Sequence, residues 1–126
     1  MSRDWTFFLE DIQESCSRVL RYTQGMTFEQ FSADDKTYDA VVRNLEIIGE
    51  AAKGLPEDVR AMMPDIEWSK ATGLRNIVAH AYFGISDEIL WDVIQNKILP
   101  MKAAVDSFME KRGSFTANRG LRTTAQ

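Results

Sequence analysis

The stretch "DKTYDAVVRNLEIIGEAAKG", residues 35 to 54, decides how this chain folds. Tyr38, Val41, Leu45, Ile48 and Ala52 recur at the three-and-four spacing that puts side chains on one stripe of an α-helix. Ala40, Asn44, Ile47 and Ala51 form a second, mildly apolar face. A helix with two such faces needs two packing partners, so this one, running from about Asp35 to Lys53, belongs inside a helical bundle. The Ser32, Asp34, Asp35 cluster supplies its cap, and Gly54, Leu55 and Pro56 stop it.

The partners lie on either side. Upstream, Trp5, Phe8, Ile12, Cys16 and Val19 mark a first helix from Trp5 to about Thr23, and Gly25 opens the loop that follows. Downstream, "PEDVRAMMP" reads as a short helix with proline at each end. A third main helix begins near Trp68, with Ala71, Leu74, Ile77 or Val78, and Ala81 as its core side, and "FGIS" breaks it. Ser86 then caps a long fourth helix whose apolar face is Leu90, Ile94, Ile98, Met101, Val105 and Phe108, with Asp87 and Glu88 favouring the dipole of its first turn. Pro100 interrupts that face, which predicts a kink there. The expected architecture is all-α, an antiparallel bundle of four main helices plus a short one over residues 1–112. Residues 113–126, "GSFTANRGLRTTAQ", lose the periodicity and read as a mobile tail; from Lys111 onward the chain carries Arg112, Arg119 and Arg122 and no acid.

Composition narrows the chemistry. A 126-residue chain fits one domain, and no stretch approaches the roughly 20 apolar residues that span a bilayer, so a cytoplasmic protein is expected. Cys16 is the single cysteine and His80 the single histidine, which excludes an intrachain disulfide and a zinc site of the usual nitrogen and sulfur type within one chain. A net charge of −4 argues against a broad nucleic-acid-binding face.

Function therefore turns on "GLRNIVAHAYFG", residues 73 to 84. At about 100° per residue, His80 lies some 40° round from Asn76, and Tyr82 falls within about 20° of Arg75. Both polar stripes edge the side opposite Leu74 and Ile77. One reading is structural: a histidine in the last helical turn satisfying the dipole, an arginine paired with a surface acid and a tyrosine at an amphipathic edge. The other is chemical, for a histidine titrating near neutrality, an arginine whose planar fork suits a phosphate and a neighbouring amide form a metal-free set. With no thiol or serine paired to the histidine, such a set fits RNA cleavage by the substrate's own 2′-hydroxyl. His80 would move the proton and Arg75 would stabilise the charged phosphorane. In-line cleavage wants a base and an acid, and a two-fold homodimer would bring two copies of each residue to one cleft.

Arg75, Asn76, His80 and Tyr82 together resemble the R-x4-6-H motif of the HEPN superfamily, in the R-x4-H-x-Y form of HepT-type toxins from prokaryotic toxin–antitoxin pairs. "RNLEIIGEAAK" and "LWDVIQNKILPMK" are similar to that family's helical segments and stand in the same order, so the resemblance covers residues 3 to about 110. It implies the HEPN bundle, a homodimer and a metal-independent endoribonuclease without cofactor. In that frame Arg75 and His80 are catalytic, Asn76 is their polar neighbour and RNA is the substrate. It further implies a minimal nucleotidyltransferase antitoxin that transfers AMP onto Tyr82. The competing expectation is a non-catalytic subunit that presents a substrate or nucleotide to a nucleotidyltransferase.

Overall fold

A computed structural model describes the backbone of residues 4–82 and 86–123 and the side chains of residues 4–79 and 86–112. Among the described residues the chain is all helix and turn. The elements are α1 (Trp5–Thr23), α2 (Phe28–Ala33), α3 (Asp35–Gly54), α4 (Glu57–Ala61), α5 (Trp68–Thr72), α6 (Leu74–Tyr82), α7 (Asp87–Asn96) and α8 (Ile98–Thr123).

Helix α3 is the hub, packing against α1, α2, α5 and α6, while α8 closes the bundle against α1 and α7. Its predicted stripe is its buried stripe: Val41, Leu45, Ile48 and Ala52 are fully or nearly fully enclosed, with Tyr38 half-buried beside them. Leu9, Ile12, Cys16 and Val19 of α1, Leu90 and Ile94 of α7, and Ile98 and Val105 of α8 complete the seam. Each buried Leu or Ile is worth about 1.5–3 kcal/mol, whereas an exposed ion pair adds about 0–1 kcal/mol, so the apolar seam holds the bundle. The second face of α3 is buried at Asn44 and Ala51. Asn44 is accommodated by donating from Nδ2 to the Ala40 carbonyl at 2.8 Å.

Three local features differ from the sequence reading. The loop between the first two main helices contains α2, closed by a reciprocal capping box in which Thr27 and Gln30 each bond the other's backbone N–H. The third main helix is divided at Gly73 into α5 and α6. Gly73 still donates to the Ser69 carbonyl at 3.1 Å and accepts from Asn76 and Ile77, so the chain turns on with a shifted phase. Ala71, Leu74 and Val78 all stay on the core side.

The fourth helix does not kink at Pro100. It stops at Lys97 and restarts as α8, which puts Pro100 in the first turn. The reason lies with the proline: mid-helix it would lack an N–H for the Asn96 carbonyl and drive its ring into that group, whereas the first turn requires no such bond. Helix α8 continues to Thr123, so the tail expected from residue 113 begins within a helical backbone. The side chains beyond Arg112, like the "FGI" break at residues 83–85, lie outside the described residues.

Candidate active site

The candidate residues ride on α6, and its packing sets the direction of Arg75 and Asn76. Leu74 and Val78 bury one side of α6 in the core, with 4% and 5% exposure, and this turns Arg75 and Asn76 to the solvent side. The expected split between a packing face and a polar face is thus observed for these two residues. His80 and Tyr82 lie on the backbone of the same helix, one and two turns further on, and their side chains are outside the described residues.

Arg75 does not stand alone. Its Nε lies 2.9 Å from Oε1 of Glu50 on α3, both side chains being about half exposed. Just before Glu50 is Gly49, which is buried. A Cβ built there would come within 3.0 Å of Arg75 Cγ and 3.4 Å of the Arg75 backbone nitrogen. Helix α6 can therefore approach α3 at Arg75 because residue 49 has no side chain. The sequence reading did not pick out Glu50 or Gly49. The available signal was a glycine in the middle of a strongly periodic helix, which costs about 1 kcal/mol of propensity and points to a close approach.

The opposite flank of α6 is different in kind. Leu74 and Ile77 help line a pocket of about 430 Å³ between α5, α6, α7 and the start of α8, with Val93 and Met101 in its wall. Arg75 and Asn76 are not among its lining residues, so these two side chains and the pocket occupy separate sides of the helix. Among the described residues, no three His, Cys, Asp or Glu side chains come together as a metal site needs, and no helix is long and apolar enough to cross a membrane.

On the solvent side, then, the site offers a guanidinium paired with a carboxylate and an adjacent amide, while His80 and Tyr82 follow along the backbone of the same helix. Residues 12–108 match the family model described as ribonuclease HepT-like. The chain is 45% identical over 96 residues to a candidate RNase of Methanocaldococcus jannaschii, covering 76% of this chain and 79% of that one. It is 39% identical over 102 residues to a candidate ribonuclease HepT of Thermococcus cleftensis, covering 81% and 93% of the two chains. A candidate RNase of Caldanaerobacter subterraneus is 35% identical over 104 residues, covering 82% and 93%. No solved structure matches the chain. The chain belongs to the ribonuclease HepT-like family.

Proposed function

We propose that this protein is a metal-independent endoribonuclease, the toxin of a toxin–antitoxin pair of the HepT type, acting as a homodimer with both copies of the motif in one cleft. The observation that carries the reading is the presentation of Arg75 and Asn76 on the solvent side of α6, in a chain whose family and relatives are designated ribonucleases. His80 takes the proton from the 2′-hydroxyl as that oxygen attacks the adjacent phosphorus. Arg75 stabilises the charge that builds on the phosphorane oxygens, and Asn76 orients the pair. The second copy supplies the acid that protonates the departing 5′-oxygen.

A nucleotidyltransferase antitoxin switches the enzyme off by transferring AMP from ATP onto the Tyr82 hydroxyl, with pyrophosphate as the leaving group. The physical basis is the short angular offset between Tyr82 and Arg75 on a helix: a phosphodiester attached there occupies the guanidinium and excludes RNA phosphate.

Expression without the partner is expected to arrest growth, and Arg75→Ala or His80→Ala to relieve the arrest while leaving the far-UV circular dichroism unchanged. A His80→Ala chain as toxic as the parent overturns the ribonuclease reading. With the partner enzyme and ATP present, the intact protein gains mass in AMP units and Tyr82→Phe does not; equal labelling of the two removes Tyr82 from the scheme.

A further inference from the structure

We infer that Glu50 is a positioning residue for Arg75, and that the Gly49–Glu50 step of α3 is the seat from which the arginine is presented to RNA phosphate. The inference rests on the ribonuclease reading above and assigns a part to a second helix that the motif itself does not include.

The ion pair differs from most others among the described residues; Lys97–Glu67, at the longer distance of 3.7 Å, also joins residues far apart in sequence. Arg18–Glu14, Arg43–Glu46 and Lys102–Asp106 each join residues three or four apart within one helix. Arg75–Glu50 instead ties α6 to α3. A half-exposed pair is a weak source of stability, so its consequence lies in geometry. Glu50 is a well-anchored support, since Ile48, Ala51 and Ala52 on either side of it are buried in the seam.

The point of contact is equally specific. Glu50 meets Nε, the guanidinium nitrogen nearest the chain. A carboxylate held beside Nε restrains the group on its α3 side and leaves the outer edge, which carries the two terminal nitrogens, for a ligand. With Nε engaged by Glu50, that edge is the fork left to grip two oxygens of a phosphate. Gly49 completes the seat from below, because the stem of Arg75 lies where a larger residue would place its Cβ. The same carboxylate also repels the incoming phosphate, so its role carries a signature: it aids the chemical step while opposing binding.

The test is steady-state cleavage of a single-stranded RNA by the full-length protein. Glu50→Ala is expected to lower kcat roughly 10- to 100-fold, the scale of a catalytic group displaced by about an ångström, with KM unchanged or lower. Glu50→Gln keeps an acceptor oxygen for Nε and is expected to recover most of kcat, and Gly49→Ala to lose kcat with the stem pushed outward. Wild-type kcat in Glu50→Ala overturns the inference, and if Arg75→Ala is inactive in the same assay the ribonuclease reading survives it. A parent protein that cleaves no RNA overturns that reading instead. In that case ¹⁵N relaxation at Arg75 Nε decides the positioning claim: order that is high in the parent and lost in Glu50→Ala supports it, and equal order in both overturns it.

Discussion

Cys16 shows how a single side chain reports on the seam. Burial pushes its thiol up to about 12, against the opposing pull of Lys102. Because the thiolate is the reactive form and the side chain is fully enclosed, alkylation at pH 8 should run at least about a hundredfold slower in the folded protein than in denaturant. Iodoacetamide labelling followed by mass spectrometry checks this, and labelling at the rate of a free thiol would mean that α1 does not seat as described. The burial of Cys16 was legible because it sits in register with Ile12 and Val19, one turn to either side. The exposure of Arg75 and Asn76 was legible for the same reason, through the phase of one helix. Glu50 was not, because its partner lies on another helix and periodicity within α3 marks it only as a solvent-side residue. Contacts along one helix are written in spacing, whereas contacts between helices depend on how closely two backbones approach, which Gly49 sets.

Among the elements, α3 owes its start to Asp34, which ends α2 and caps α3 at once. The Thr37 backbone N–H at 3.0 Å from Oδ1, followed by the Thr37 hydroxyl, holds the Asp34 carboxyl below the usual carboxylate range. A folded value below the unfolded one means that the stabilisation is present above the unfolded value, near pH 4, and is lost as pH falls through the folded one. Asp34→Asn keeps an acceptor for Thr37 and removes the titration. Its melting temperature should therefore decline less than the parent's on acidification from pH 5 to 3; parallel declines would show that the cap carries no such linkage. Helix existence was readable here, and helix subdivision was not. The capping box of α2 is visible as Thr27 and Gln30, but six residues give no periodicity to support it. At Pro100 the interruption was correctly seen, yet the chain resolves it by stopping three residues earlier, since a proline costs little in a first turn and about 3 kcal/mol in a helix interior.

For the whole molecule, the question is how a chain of net charge −4 engages a polyanion. The cleft of the proposed homodimer would answer locally: two Arg75 side chains, one from each copy, would meet phosphates, with the rest of the surface contributing little attraction. Counterion release makes this measurable. Each phosphate neutralised on a single strand contributes about −0.7 to the slope of log K against log salt, so two contacts give about −1.4. Recruiting Lys111, Arg112, Arg119 and Arg122 from one C-terminal segment would add four contacts and steepen the slope to about −4. Binding of the cleavage-dead His80→Ala protein to single-stranded RNA, measured by fluorescence anisotropy across a salt series, separates the two cases. A shallow slope that flattens further in an Arg75→Ala, His80→Ala double variant is the expected result. A slope near −4 that is indifferent to Arg75 would move recognition onto the basic segment and leave the cleft to chemistry alone.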